Sequence, residues 1–267
     1  LADIIRRPAP FVLVSTAHGT LIVNTHDRCL SDGGAAFGVG LQLLNTSNYD
    51  PEEVVLATQL LDLRRQHHGD GVVAIDCGAN LGVHTIEWAR RMTGWGRVIA
   101  IEAQERIYYA LAGAIAINNC FNAQAIFAAA GERDGTLAVP QPDYLADASF
   151  GSLELRKATD EFIGQAIDYA EDKLTTIRMI SIDGLRLTRL DFIKMDIEGM
   201  EAEALAGARE TLSACRPIAM VETIKSDKAA LISFFAELGY RSFDNGLTNV
   251  FVHEADPCLE NITTPGG

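Results

Sequence analysis

Basic residues are scarce: 22 Lys and Arg stand against 36 Asp and Glu, a formal net charge of −14. A surface that tracks phosphates needs clustered Lys and Arg, because charge neutralisation drives such binding. The tight basic pairs are Arg6-Arg7, Arg64-Arg65 and Arg90-Arg91, and the last two fall on predicted helices. Nucleic acid and anionic membrane are therefore excluded as expected partners. Cysteine is sparse too. Cys29, Cys77, Cys120, Cys215 and Cys258 are scattered, odd in number and without a C-x-x-C pair, which argues against a zinc knuckle or a disulfide framework. No apolar run is long enough to span a bilayer, and the first eight residues hold no signal core. Two sequons, at Asn45-Thr46-Ser47 and Asn261-Ile262-Thr263, are short enough to arise by chance. These absences predict a cytoplasmic protein with reduced thiols. The chain opens on Leu1 rather than Met, which leaves room for a removed leader.

A hydrophobic share of 48% over 267 residues supplies one full-sized core. Phe11–Val14 and Thr20–Val23 read as two short strands about His18-Gly19, and a glycine-rich stretch, 31–40, follows. Asp50 reads as an N-cap with Pro51 at the first helical position and Glu53 completing a capping box. From there strand and helix alternate. Strands are predicted over 72–75, 97–101, 125–129, 190–195 and 218–221, and helices over 83–92, at Ile107 to Ile115, at Met200 to Leu212 and at Leu231 to Leu238. Arg241–Phe243 and Asn249–Val252 are placed to pair as a hairpin. The expected fold is α/β, a doubly wound and mostly parallel sheet with a terminal antiparallel hairpin. Residues 1–70 are expected to form an extension, hairpin plus capping helix, packed on a catalytic domain of 71–267. Residues 141–180 are the least regular part, with a helix expected around Phe162 to Ala170, and read as an insertion over the acceptor site.

Asp76-Cys77-Gly78-Ala79-Asn80-Leu81-Gly82 follows the first strand of this series and opens a helix. Glycine lets the backbone turn and approach a ligand, and the helix start that includes Thr85 presents unpaired N–H groups. Glu102, at the tip of the next strand and followed by Ala103, can accept the hydroxyls of a ribose. Together these mark a nucleoside cofactor. A dinucleotide site wants G-x-G-x-x-G, but the middle position is Asn80 and the last Gly comes one residue early. Asp76 is expected to point a carboxylate into the crevice, which repels a pyrophosphate and suits the ammonium of a methionine moiety. The cofactor reading is S-adenosylmethionine, with S-adenosylhomocysteine as product. Asp76, Gly78, Ala79, Asn80, Gly82, Thr85, Glu102 and Ala103 are its candidate contacts.

A second constellation, Asp191-Phe192-Ile193-Lys194-Met195-Asp196-Ile197-Glu198-Gly199-Met200-Glu201, is dense in acid at a strand end, and Glu222 follows the next strand. Strand C-termini converge on one edge, so Asp196, Glu198 and Glu222 are expected beside the reacting centre. The plainer alternative has one or two of them capping the helix start at Gly199. Glu201 reads as structural. On these two motifs, with Ala100-Ile101-Glu102, Pro217 and Val221-Glu222, the sequence resembles the FkbM family of methyltransferases over about Phe11 to Val252. The resemblance implies a class I, Rossmann-like, seven-stranded methyltransferase that methylates a hydroxyl of a small molecule or of a sugar on a glycoconjugate.

Methyl transfer from a sulfonium is an in-line displacement, so positioning supplies most of the acceleration. Asp196 and Glu198 are the candidate base or acceptor anchor, and His84, on a helix face that can meet solvent, ranks below them. Alternatively Asp196, Glu198 and Glu222 hold a hard cation such as Mg²⁺. An Asn-Pro-Pro-aromatic motif for amino-group methylation is missing, and the thiol of Pro257-Cys258 lies in the C-terminal stretch. Two other functions stay open: an NAD-linked oxidoreductase, and a cofactor-binding partner subunit without catalysis. A homo-oligomer is compatible with the sequence.

Overall fold

A computed structural model describes residues 8–30, 34, 36–159 and 162–262. Residues 1–7, part of the glycine-rich stretch (31–33 and 35) and Thr263 of the second sequon lie outside the described residues. The N-terminal hairpin pairs β1 (Phe11–Thr16) with β2 (Gly19–Asn24), Thr16 opposite Gly19. A short ladder of β3 (Cys29–Leu30) and β4 (Ala36–Phe37) leads into α1 (Val39–Thr46) and α2 (Pro51–His68). Then come β5 (Val72–Cys77), α3 (Val83–Arg91), β6 (Gly96–Glu102), α4 (Glu105–Ile117), β7 (Ala123–Phe127), β8 (Ala129–Ala130), β9 (Gly135–Val139) and β10 (Thr175–Ile180). The chain continues through β11 (Phe192–Met195), α5 (Glu201–Ala206), α6 (Arg209–Cys215), β12 (Ile218–Glu222), α7 (Lys228–Glu237), β13 (Tyr240–Asn245) and β14 (Thr248–His253).

Seven strands form the central sheet in the order β13-β14-β12-β11-β5-β6-β7, and β14 alone runs against its neighbours. This is the doubly wound sheet with a terminal hairpin that the alternation predicts. Period-two alternation splits each strand between two helical layers. Ala74, Phe192 and Met220 face the layer that holds Leu61 of α2 and Trp88 of α3. Ile75, Ile193 and Val221 face the other layer, with Leu205, Leu212 and Phe235. Leu21, Val23 and Leu43, from before residue 71, belong to the first of these cores. Asp27 adds a polar tie, accepting from the Gly40 N–H at 2.7 Å and the Phe150 N–H at 3.1 Å. Among the described residues no helix is long and apolar enough to cross a membrane. All five cysteines lie among the described residues, and none forms a disulfide.

Four local expectations are corrected. Asp50 makes no side-chain cap: it sits in the left-handed region (φ 36°), and Glu53 turns away from the helix start. The helix expected around Phe162 to Ala170 is absent, and that stretch is irregular between 3₁₀ turns at Phe150–Ser152 and Glu171–Lys173. The end of the 141–180 segment is instead β10, which pairs antiparallel with β9 and parallel with β8 in a separate three-stranded sheet. The chain therefore leaves the main sheet after Phe127 rather than continuing to Ala129 as one strand. Finally, the helix read from Met200 to Leu212 is two helices. Asp183, remote in sequence, accepts from the N–H groups of Glu210 and Thr211 and so starts α6 anew.

Candidate active site

The C-terminal ends of β5, β6, β11 and β12 open onto one cleft of about 690 Å³, on the edge where open α/β sheets bind ligands. One wall is the turn after β5. Gly78 adopts φ 81°, and a Cβ added there would lie 1.8 Å from the Asp196 carbonyl oxygen. Glycine is thus required both by conformation and by the approach of the two motifs. Asn80 takes φ 50°, with its side-chain oxygen accepting from the Leu81 N–H at 2.7 Å. Glu102 lies beside this turn. Its Oε2 accepts from the Asn80 N–H at 2.9 Å and its Oε1 from the Gln104 N–H at 2.7 Å. Burial pushes its carboxyl up to about 7, against these backbone donors. Each carboxylate oxygen has two lone pairs, so a ligand hydroxyl can still be bound. Gly78, Ala79, Asn80, Glu102 and Ala103 all line the cleft.

Asp76, Gly82 and Thr85 do not. Asp76 is 1% exposed and accepts from Thr85 Oγ1 at 2.5 Å. It follows Ala74 in the strand alternation, which sends it into the α2–α3 layer rather than into the crevice. The expected direction of its carboxylate, into the crevice, is corrected: the cation beside Asp76 is the protein's own Lys194, its register partner on β11. Gly82 begins α3, and a Cβ there would come 2.7 Å from Leu111 Cδ1, so its role is packing.

At the other end the structure brings Asp196, Glu198 and Glu222 together, with one oxygen of each within 4.8 Å of the others. Lys194 Nζ donates to Asp196 Oδ2 at 2.9 Å. Burial opposes the charge of Lys194, but Asp196, Glu53 and Asp76 outweigh it and hold its pKa well above the usual lysine value. Lys225 Nζ lies 2.6 Å from Glu198 Oε2 and donates to the Ser152 carbonyl at 2.9 Å, tying the irregular segment to the cluster. Burial and then Asp196 push Glu198 up to about 7, and burial, Asp196 and Glu198 push Glu222 up to about 9. Glu198 holds φ 55°, a left-handed conformation that costs about 1–2 kcal/mol for a residue with a side chain. Strain of this kind gathers where geometry serves a ligand. None of the three acids caps the following helix. Glu201, the first residue of α5, instead fastens the loop before that helix, accepting from the N–H groups of Ile197 at 2.9 Å and Gly199 at 3.1 Å.

Sequence reasoning missed three participants. A lysine in or after a strand ordinarily points to water, which hides Lys194 and Lys225 from a reading by residue type. Glu53 was assigned to a cap. His84 was expected to face solvent, but it is 6% exposed and lines the cleft, and burial holds its ring well below the usual histidine pKa. A second set of ligand-type side chains, His68, Asp256 and Cys258, has metal-like spacing. The buried Arg64 guanidinium on Asp256 and a Cys258 thiol pushed up to about 12, chiefly by burial, make it a structural cluster.

The sequence profile described as Methyltransferase FkbM domain matches residues 76–242. No curated protein matches the chain. Among solved structures, the methyltransferase FkbM from Methylobacillus flagellatus KT is 20% identical with a TM-score of 0.48, covering 72% of this chain and 48% of that one. The chain thus spans about half the length of that protein. The precorrin-6y C5,15-methyltransferase from Geobacter metallireducens GS-15 is 14% identical, TM-score 0.42, covering 78% of this chain and 89% of its own. A SAM-dependent methyltransferase from Aquifex aeolicus is 14% identical, TM-score 0.38, covering 77% and 98%.

Proposed function

This chain belongs to the FkbM family of methyltransferases, and from that premise we propose that it methylates a hydroxyl of a small molecule or sugar with S-adenosylmethionine as donor. When bound, S-adenosylmethionine supplies an electrophilic methyl group on a sulfonium. The observation that carries the reading is the placement of both halves in one cleft: the Gly78–Asn80 turn with Glu102 at one end, the three carboxylates at the other. In this reading Glu102 accepts the ribose hydroxyls, and the backbone of Gly78 and Ala79 permits close approach. Ala103 leaves room beside them. Asp76 and Thr85 act from beneath, by holding the strand-to-helix turn.

Glu198, poised near 7, takes the proton of the acceptor hydroxyl, since a base is most effective when its pKa lies near the working pH. Asp196, fixed by Lys194, orients that hydroxyl, and Glu222, protonated below about 9, donates to a neighbouring oxygen. Among the described residues the lining holds no Arg, and Lys194 and Lys225 already face carboxylates. This favours an uncharged acceptor over a phosphorylated one and gives nucleic acid no anchor. A Mg²⁺ ion at the carboxylate cluster is the second reading. Glu222 supports it, because its carboxyl lies within 4.8 Å of the Asp196 and Glu198 oxygens and meets no cationic side chain within ion-pair distance among the described residues. We read residues 1–70 as an extension that completes the walls of the catalytic unit formed by 71–267, with 141–180 over the acceptor end.

Calorimetry with S-adenosylmethionine, S-adenosylhomocysteine and NAD(H) is the test. Micromolar binding of the two sulfur nucleosides, lost in Glu102→Ala, supports the cofactor, and labelled methyl transfer to hydroxylated acceptors, lost in Glu198→Gln, then supports the reaction. Binding of NAD(H) alone overturns the reading.

A further inference from the structure

Glu53 lies outside the cleft and before the stretch that matches the family, yet it reaches two side chains that close the cleft floor. Its Oε1 is 3.7 Å from Lys194 Nζ and 3.5 Å from His84 Nε2. Its Oε2 accepts from Thr248 Oγ1 at 3.0 Å. Lys194 in turn donates to Asp196 Oδ2. His84, Lys194 and Asp196 line the cleft, so Glu53 joins them from behind. The side chains of Lys194 and His84 are each 7% exposed, and His84 Nε2 has no hydrogen-bond partner. The charged groups that face Lys194 are Asp196, Glu53 and Asp76, and Asp76 is already held by Thr85.

We propose that Glu53 is a positioning residue, a carboxylate supplied by helix α2 that holds Lys194 against Asp196 and faces His84 across the same floor. The lysine stem has four rotatable bonds, and a single partner on one side would let the ammonium swing toward Asp76. Glu53 Oε1 at 3.7 Å attracts the ammonium as an ion pair while Asp196 Oδ2 takes its hydrogen bond at 2.9 Å, so two carboxylates restrict it. One Asp196 oxygen stays with Lys194 and the other is left to the cleft. The consequence rests on the reading of Asp196 as the acceptor anchor: small errors in placing such a group cost catalysis heavily. Thr248, beyond the other end of the matched stretch, orients Glu53. The flanks of the chain thus build part of the site.

The test is the ¹⁵N-lysine side-chain spectrum of the full chain, with the Lys194 signal assigned by Lys194→Arg and recorded without ligand. The wild type should show a slowly exchanging ammonium signal. In Glu53→Gln, which keeps a partner for Thr248, that signal should exchange at least about tenfold faster, the effect of losing one charge-assisted contact. Glu53→Asp should restore part of the protection, which a merely structural role would not require. Thr248→Val should move the signal in the same direction and carries the test if Glu53→Gln does not fold. An unchanged Lys194 signal in these variants overturns the proposal. S-adenosylhomocysteine titration of the wild type separates the two readings: failure to bind sinks the proposed reaction and leaves the ion chain standing, while an unchanged ammonium signal does the reverse.

Discussion

Gly78→Ala is the sharpest perturbation of the way the two motifs meet. Two costs can be worked from the structure. The backbone at φ 81° is left-handed, worth about 1–2 kcal/mol for a residue with a Cβ. The new methyl would fall 1.8 Å from the Asp196 carbonyl oxygen and 2.8 Å from its carbon, so strand ends must separate, an overpacking cost of about 1–3 kcal/mol. Together they predict a loss of about 2–5 kcal/mol, on the order of ten degrees in melting midpoint for a chain of this size. Gly94→Ala is the control. It too has a positive φ (82°) but nothing within 4 Å, so it reports the conformational cost alone. Urea unfolding of both variants isolates the steric part by difference, and calorimetry with S-adenosylhomocysteine reads the damage to the turn. If Gly78→Ala were no less stable than Gly94→Ala, or bound the nucleoside like wild type, the close approach of turn and acid strand would be wrong.

Three further outcomes follow from buried charge. Asp191 is 1% exposed and accepts from the Val73 N–H at 2.9 Å, from Arg189 Nε at 2.8 Å and from the buried Arg64. Asp191→Ala leaves the buried Val73 N–H without its acceptor and the Arg64 guanidinium with Asp256 alone, and should cost about 1–3 kcal/mol in urea unfolding; no loss of stability would contradict the burial. Glu198 and Glu222 have folded pKa values raised to about 7 and about 9 from 4.5, so the folded state holds more protons than the unfolded one between these values. Their contribution to stability is fully present below about pH 4.5 and is lost as pH rises through about 7 and 9. A divalent cation displaces the same protons, so Mg²⁺ should bind more tightly at about pH 9 than at about pH 6. Affinity independent of pH in calorimetry would place the ion elsewhere.

The strands and helices with strong periodicity were legible from residues alone. Val72–Cys77 and Ile218–Glu222 are short apolar runs bounded by turns, and α3, α4 and α7 carry apolar faces at helical spacing. Pairing of β9 with β10 was not, because the partners are separated by the long irregular segment and neither strand is distinctive by itself. The helix expected at 162–170 failed for a related reason: its residues are tied to distant partners, the Ile163 carbonyl accepting from the Ser149 N–H, Gln165 Oε1 from the Asp143 N–H, and Tyr169 donating to the Glu154 carbonyl.

The same division runs through the site. The glycine turn and the acids at strand ends follow from local chemistry, since a strand that stops at a sheet edge must present its next side chains there. Asp196, Glu198 and Glu222 could therefore be placed together before any coordinates. Which way a carboxylate faces could not. Asp76 belongs to a strand buried on both sides, and a shift of one residue in phase exchanges crevice for core. Glu53 fits a capping pattern by spacing, but its partners Lys194, His84 and Thr248 come from three other elements. Local sequence specifies the strongly periodic elements, the main sheet and the edge on which the chemistry lies. Which charges face the ligand and which face each other depends on strand phase and on contacts between residues far apart in the chain, and so is settled only when the chain is folded.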